Sequence, residues 1–142
     1  MKNVGIAIVT CNRQDFYNKC RESIPEGMDV VTVNDGKEFD PYQRKGDIFI
    51  QNKENMGVGK SKNILFKKLL EMGKEHIFII EDDMLIKKPD VFEKYIMARE
   101  ATGIQHFMFA YIVGSHSDSI EYYRIVLYHF HIIDTGESTI FI

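Results

Sequence analysis

Short apolar runs alternate with segments of helical periodicity, and this alternation restricts the possible folds more than any other feature of the sequence. Val4–Thr10 is an unbroken run rich in β-branched residues, which is typical of a strand buried on both faces. Further strands are predicted at Asp29–Val33, Asp47–Gln51, His76–Ile80 and residues 105–113. Strands separated by helices form βαβ units, so the pattern predicts an α/β fold with a mostly parallel sheet flanked by helices.

Three helices are predicted between and after these strands. The first, Gln14–Ile24, has an inward face formed by every fourth residue, namely Phe16, Cys20 and Ile24. The second, Val58–Met72, carries an apolar stripe opposite a face of lysines. The third begins at Pro89 and ends at Gly103, because proline suits the first turn of a helix and glycine its C-terminus.

The pattern changes after Gly114, where the helical periodicity ends. Residues 121–134 and 135–142 are predicted to be antiparallel strands around a glycine turn. A length of 142 residues is typical of one domain. We therefore expect a single domain over residues 1–142, with a larger part at 1–113 and a short β-rich part at 114–142.

Composition excludes several classes of partner. The net charge of −3 gives no electrostatic reason for binding nucleic acid or an anionic membrane. No apolar run approaches the roughly 18–20 residues that a transmembrane helix needs. Two cysteines, Cys11 and Cys20, form no disulfide or zinc pattern, which predicts a reducing, cytoplasmic compartment. The aromatic and apolar residues near the C-terminus make a homo-oligomer possible.

Polar residues follow three of the predicted strands, at Thr10–Arg13, Asn34–Gly36 and Glu81–Asp83. The carboxyl ends of strands in a doubly wound sheet border the ligand crevice, so these residues are expected to converge there. Side chains alternate along a strand, which puts Glu81 and Asp83 on one side and Asp82 on the other. Paired carboxylates suit a hard divalent cation, Mg²⁺ or Mn²⁺. Taken alone, each of these motifs is also typical of a polar turn.

The segment NMGVGKSKN at residues 55–63 contains Gly-Lys-Ser, the end of a phosphate-binding P-loop. A P-loop also needs a glycine five residues before Gly59, and Glu54 stands there. Its anionic side chain would repel phosphate, whereas the glycine lets backbone N–H groups surround it. The acidic strand also follows the helix directly, with less intervening structure than P-loop folds usually have. We therefore predict that this chain is not a P-loop nucleotide hydrolase.

Several motifs together resemble the nucleotide-sugar half of GT-A glycosyltransferases. VGIAIVTCNRQDFYNKCRESI, VNDG and NMGVGKSKNILFKKLLEMGKEHIFIIEDDM have the order and spacing of the family-2-like pattern. The run FIIEDDMLIKKPDVFEKY is also similar to the Glu-Asp-Asp region of Golgi N-acetylglucosaminyltransferases. Cys11 departs from the aromatic residue common in family 2, and the Golgi type carries cysteine there. The resemblance covers residues 3–112 and implies a Rossmann-like GT-A nucleotide-sugar-binding domain.

The resemblance also implies roles for individual residues. Asp83 would ligate Mn²⁺ or Mg²⁺ and bridge the diphosphate of the donor through the ion. Six other residues would contact the donor or the water bound to its metal: Glu81 and Asp82 at ribose, sugar or metal-bound water, Asp35 at the pyrimidine edge, Thr10 and Arg13 in the base and phosphate pocket, and Lys62 in place of a family arginine.

By this resemblance, the expected reaction moves a sugar from a nucleotide-diphospho-sugar, of the uridine type, to a hydroxyl of a glycan or lipid-linked acceptor, with inversion. Residues 114–142 would be a short remnant of the acceptor part, and no pattern identifies a catalytic base among its carboxylates, Asp118, Glu121, Asp134 and Glu137. Two alternatives stay open. The chain could be a non-catalytic or truncated nucleotide-sugar-binding module, or a nucleotidyltransferase of related architecture.

Overall fold

The computed structural model of the chain describes residues 3–104, 107–110 and 124–127. They form two compact units, one up to Pro89 and one from Asp90 onward. The first unit contains β1 (Val4–Thr10), α1 (Gln14–Ser23), β2 (Asp29–Asn34), β3 (Ile48–Gln51), α2 (Val58–Glu71) and β4 (His76–Glu81). The second contains α3 (Val91–Thr102), β5 (Phe107–Ala110) and β6 (Arg124–Leu127). No helix within the described ranges is long and apolar enough to cross a membrane.

The first unit is built around a four-stranded sheet with the order β3-β2-β1-β4, in which all neighbouring strands are parallel. This confirms the predicted α/β class and the parallel sheet, and the arrangement is compatible with a Rossmann-like fold. Helix α2 packs on β1 and β2 through a buried cluster of aliphatic side chains, Ala7, Val9, Val31, Val33, Leu65 and Leu69. Helix α1 lies on the opposite face, where Tyr17 contacts Thr32.

The register of the sheet brings the polar strand ends level with one another. Thr10 pairs with Asn34, Asn34 pairs with Gln51, and Glu81 pairs with the residue before Thr10. In chain order, β2 is added beside β1 and β3 beside β2, on one side of β1. The next strand, β4, pairs with the opposite side of β1. The order therefore reverses between β1 and β4. Ligands of open α/β sheets bind outside the carboxyl ends at such a reversal.

Helix α1 buries Cys20 and Ile24 as predicted, but the third residue of the predicted inward face, Phe16, is not buried. Phe16 is 53% exposed, whereas Tyr17, Cys20, Arg21 and Ile24 are buried. A spacing of four residues drifts around a helix of 3.6 residues per turn, so the repeat of three and four residues marks the buried stripe better. The arginine in this stripe is buried because it has an acidic partner elsewhere in the chain.

The connection from β2 to β3 contains no helix and is fastened to α1. Arg44 donates to two carbonyl groups at the end of α1, to Ile24 O at 2.6 Å and Glu22 O at 2.9 Å. Arg21 and Asp47 form two hydrogen bonds of 2.7 Å each. Three aromatic rings, Tyr17, Phe39 and Phe49, pack between these contacts. This extended connection forms one side of the site described below.

In the second unit, α3 ends at Gly103, whose φ of 71° is the left-handed conformation predicted for a glycine cap. Helix α3 starts at Val91, so Pro89 lies before its first turn rather than in it. The strand expected at residues 105–113 is observed as β5, which pairs antiparallel with β6. The partner strand expected at residues 135–142 lies outside the described residues.

Candidate functional site

The carboxyl ends of the neighbouring strands β1 and β4 are organised around the buried carboxylate of Asp82. We call the region outside these two strand ends the β1–β4 crevice. Thr10 Oγ1 donates to Asp82 Oδ2 at 2.7 Å. Arg13 donates to the same oxygen through Nε at 3.2 Å and also contacts Oδ1 through Nη2. Asp82 is fully buried, so these partners supply the hydrogen bonds that water would otherwise supply. The β1–α1 turn and the end of β4 are thereby held together.

The two acids on either side of Asp82 are exposed, in agreement with the predicted alternation. Asp83 is 48% exposed and lies 3.4 Å from Arg13 Nη1. Glu81 is 57% exposed and lies 3.6 Å from Lys62 Nζ. Two cationic side chains, Arg13 and Lys62, therefore offset two of the three negative charges of the acidic triplet. The Asp83 carboxylate keeps most of its acceptor sites open to solvent.

Arg13 is the central cation of this crevice. Its guanidinium lies over the exposed ring of Phe16, 5.6 Å from the centroid. Desolvation lowers the pKa of Arg13, but the carboxylates of Asp82 and Asp83 outweigh it and raise the pKa above its ordinary value. Arg13 therefore remains charged, and its side chain is 44% exposed.

These residues fit Mg²⁺ or Mn²⁺ only in part. Within the described ranges, no three histidine, cysteine or acidic side chains are arranged to hold a metal ion. Mg²⁺ commonly takes only one or two protein carboxylates and completes its shell with substrate phosphates and water. The exposed carboxylate of Asp83 fits such a shared ion, and that of Glu81 lies nearby. Asp82 does not fit, because Thr10 and Arg13 already occupy its oxygens.

Asp35, which follows β2, lies in a separate hydrogen-bond network. Its Oδ1 accepts from Asn52 Nδ2 at 2.6 Å and from the Met56 N–H at 2.8 Å. Its Oδ2 accepts from the Gly57 N–H at 2.8 Å, and the hydroxyl of Ser61 also hydrogen-bonds the carboxylate. Asp35 therefore connects the end of β2 to the loop between β3 and α2.

This network changes the acidity of Asp35. Burial alone would raise the pKa of its carboxyl group, because a charged form is costly in a low-dielectric interior. The hydrogen bonds from Met56, Asn52, Gly57 and Ser61 stabilise the carboxylate more than burial destabilises it. The net result is a pKa below the ordinary value. Asp35 is therefore ionised at neutral pH.

The same contacts bear on the rejected P-loop interpretation. The Met56 and Gly57 N–H groups lie at the start of α2, where a P-loop would bind phosphate, and they donate to Asp35 instead. Ser61, the Ser of the Gly-Lys-Ser segment, is fully buried and accepts from Asn52. The protein thus supplies its own anion at this helix terminus, which supports the exclusion of a P-loop.

Next to Asp35 lies an open cleft of about 530 Å³ at the ends of β1, β2 and β3. It is lined by Asn12, Asp35, Gly36, Lys37, Glu38, Gln51, Asn52, Lys53 and Asn55. Asn12 adopts a left-handed φ of 58°, and its Oδ1 accepts from the Lys37 N–H at 2.8 Å. A Cβ on Gly36 would lie 2.7 Å from the Asn12 nitrogen, so only glycine permits this close approach.

The structure therefore brings four predicted site residues into one cluster of contacts: Thr10, Arg13, Asp82 and Asp83. Glu81, the residue before Asp82, adds its partner Lys62 to this region. Asp35 lies on the cleft side of the same sheet edge. The sequence analysis missed Asn52 and Asn55, which hold or line the cleft. The signal for Asn52 was its position directly after a strand, the same argument that identified Asn34–Gly36.

Comparison with known proteins adds no relative to this geometry. No family model, curated protein or solved structure matches the chain. The function must therefore be inferred from the chemistry of the strand ends themselves. Those strand ends provide two exposed carboxylates, one exposed guanidinium and one polar cleft along a single sheet edge.

Proposed function

We propose that the chain binds a nucleotide-diphospho-sugar, of the uridine type, at the carboxyl edge of its parallel sheet. We further propose that it acts as a metal-dependent GT-A glycosyltransferase, which moves the sugar to a hydroxyl of a glycan or lipid-linked acceptor. The observation that carries this proposal is the position of exposed Asp83 beside Arg13, at the point where the strand order reverses. A metal-bound diphosphate needs both a carboxylate and a cation in such a place.

The rest of the donor follows from the direction of the sheet. With the diphosphate at the β1–β4 crevice, the nucleoside extends past the end of β1 toward β2 and β3. The cleft beside Asp35 has the polar walls and open volume to receive it. Glu81 and Lys62 border the crevice on its other side, where the sugar would lie. The donor therefore spans the sheet edge from the cleft to β4.

Each residue then has a chemical task. Arg13 attracts the diphosphate and, through Asp82, keeps the β1–α1 turn fixed to β4. Thr10 holds Asp82 in its orientation. Asp83 is the carboxylate to which the ion would bind. A bound Mg²⁺ or Mn²⁺ supplies Lewis-acid neutralisation of the charge that develops on the leaving diphosphate.

The acceptor side of the proposal rests on the sequence alone. An inverting transferase needs a general base for the acceptor hydroxyl. The remaining carboxylates, Asp118, Glu121, Asp134 and Glu137, lie outside the described residues. The binding module without transfer activity therefore remains the main competing function. Both cysteines are free thiols, which supports the proposed cytoplasmic compartment.

Release of UDP from a panel of UDP-sugars tests this proposal. The purified chain would be incubated with each UDP-sugar, Mn²⁺ and simple glycosides as acceptors, and the UDP released would be measured. A second incubation with a nucleoside triphosphate, a sugar phosphate and Mn²⁺ would be assayed for pyrophosphate. Metal-dependent release of UDP from one sugar supports transfer or donor hydrolysis. Donor binding without release would identify a binding module. Release of pyrophosphate from a nucleoside triphosphate and a sugar phosphate would identify a nucleotidyltransferase.

A further inference from the structure

The carboxylate of Asp35 uses its acceptor capacity inside the protein. It receives four donors, two of them backbone N–H groups and two of them the side chains of Asn52 and Ser61. A carboxylate offers about four lone-pair sites. Asp35 is also only 3% exposed. A ligand N–H could therefore be accepted only by displacing a donor that holds the loop.

The main-chain carbonyl of Asp35 orients a second side chain at the cleft. Asn55 Nδ2 donates to Asp35 O at 3.0 Å. A carbonyl oxygen accepts but cannot donate, so this contact determines which end of the Asn55 carboxamide is nitrogen. The other end, Oδ1, is an acceptor on an exposed side chain that lines the cleft.

Other acceptors at the cleft are mostly committed. Asn12 Oδ1 already accepts from a backbone N–H, and Gln51 Oε1 accepts from Asn34 Nδ2 at 2.7 Å. Lysine side chains only donate. Asn52 Oδ1 is also an acceptor, but Asn52 is only 8% exposed. Besides Asn55, the carboxylate of Glu38 is the other exposed side-chain acceptor left at this cleft. These two residues can be compared directly.

We propose that Asp35 is a positioning residue and that Asn55 Oδ1 accepts the N–H of the bound base, which is the imide N–H of uracil. This inference rests on the proposed function. Asp35 acts through the loop between β3 and α2, because it binds Met56 and Gly57 next to Asn55. The base selectivity of the cleft then depends on Asn55, and the shape of the cleft depends on Asp35.

Binding of UDP and CDP distinguishes the two roles, because N3 of uracil is a donor and N3 of cytosine is an acceptor. Calorimetry with Mn²⁺ would be performed on the wild type, Asp35→Asn, Asn55→Ala and Glu38→Ala, which removes the competing acceptor, with the neighbouring Glu54→Gln as the control. Urea denaturation of each variant reports whether the loop is still held. If Asp35→Asn does not fold, Ser61→Ala replaces it, since it removes only one of the four donors.

The wild type is expected to prefer UDP. Asn55→Ala should weaken UDP binding about 3- to 10-fold, the effect of one hydrogen bond, with little change for CDP or for the urea midpoint. Asp35→Asn should lower the urea midpoint and weaken both nucleotides equally, which keeps their ratio. Glu38→Ala should keep the preference for UDP, and the control Glu54→Gln should behave like the wild type.

Three results would overturn the inference. A shift of Asp35→Asn toward CDP with an unchanged urea midpoint would show that Asp35 contacts the base itself. Loss of UDP preference in Glu38→Ala would assign the acceptor to Glu38. If the wild type binds neither nucleotide, the proposed function fails and the assignment of Asn55 fails with it. Even then, a lower urea midpoint for Asp35→Asn would establish that Asp35 holds the loop between β3 and α2.

Discussion

The buried ion pair between Arg21 and Asp47 supports a quantitative prediction about the scaffold of the site. The two side chains are only 2% and 4% exposed. Two hydrogen bonds of 2.7 Å join them, and the Arg44 N–H also donates to Asp47 Oδ2 at 2.8 Å. Arg21 Nη1 has no hydrogen-bond partner within the described ranges, so the guanidinium depends heavily on Asp47.

Asp47→Asn would leave a buried guanidinium without a counter-charge. Breaking one side of a buried ion pair typically costs about 3–5 kcal/mol. The total free energy of unfolding of a domain is about 5–15 kcal/mol, so this loss is a large fraction of it. Removing both charges is much less costly, since no unpaired ion remains. The double variant Arg21→Met/Asp47→Asn is therefore expected to be more stable than Asp47→Asn alone.

Urea denaturation measures these differences through the midpoint, with an unchanged slope if unfolding remains cooperative. Lys94→Gln is the matched control, because its pair with Asp90 is exposed and is expected to contribute under about 0.5 kcal/mol. A loss below about 1 kcal/mol in Asp47→Asn would refute the reasoning. The single variant Arg21→Met completes the comparison. If the stability lost in the double variant equals the sum of the losses in Arg21→Met and Asp47→Asn, the two charges are not coupled and the reasoning is also refuted.

Three further predictions concern single residues. The pKa of Asp35 is lower in the folded state than in the unfolded state. Its contribution to stability is therefore complete above the unfolded carboxyl pKa of about 3.9 and is lost as pH falls through the lower folded value. In urea denaturation at a series of pH values, the stability advantage of the wild type over Asp35→Asn should be constant between about pH 5 and 7 and shrink below about pH 4. Gly36→Ala should cost about 1–3 kcal/mol, because its Cβ would lie 2.6–2.9 Å from atoms of the β1–α1 turn, whereas Gly59→Ala, which has open space, should be neutral or stabilising. Burial raises the pKa of Cys20 to about 12, so a thiol reagent at about pH 8 should leave it unmodified until the protein is unfolded by urea; rapid labelling of both thiols in the native protein would contradict this.

Local sequence patterns predicted the elements of the first unit to within one or two residues. Val4–Thr10 was predicted with its observed bounds, and Asp29–Asn34 and His76–Glu81 are each one residue longer than predicted. These strands are buried in a parallel sheet, which demands continuous apolar runs that stand out in a sequence. Since the strands are parallel, the convergence of Thr10–Arg13 and Glu81–Asp83 followed from the same pattern.

The network around Asp35 could not be predicted in the same way. Its partners Asn52, Met56 and Gly57 lie 17 to 22 residues away, and no periodicity links them to Asp35. The burial of Arg21 in α1 was missed for a similar reason. Arg21 looks like a surface residue until Asp47, 26 residues later, is placed beside it. Polar contacts between distant segments depend on the tertiary structure, which a local pattern does not contain.

The central claim is that the sheet edge binds a uridine diphosphate through a metal ion held by Asp83. Calorimetric titration of UDP into the wild type and Asp83→Asn, with and without Mn²⁺, tests it most directly. ATP serves as the nucleotide control, and Asp40→Asn, an exposed acid outside the crevice, serves as the variant control.

We expect UDP binding that requires Mn²⁺, weakens at least about tenfold in Asp83→Asn and is unaffected in Asp40→Asn. ATP should not compete. Absent or metal-independent UDP binding, or equal affinity in Asp83→Asn, would contradict the account.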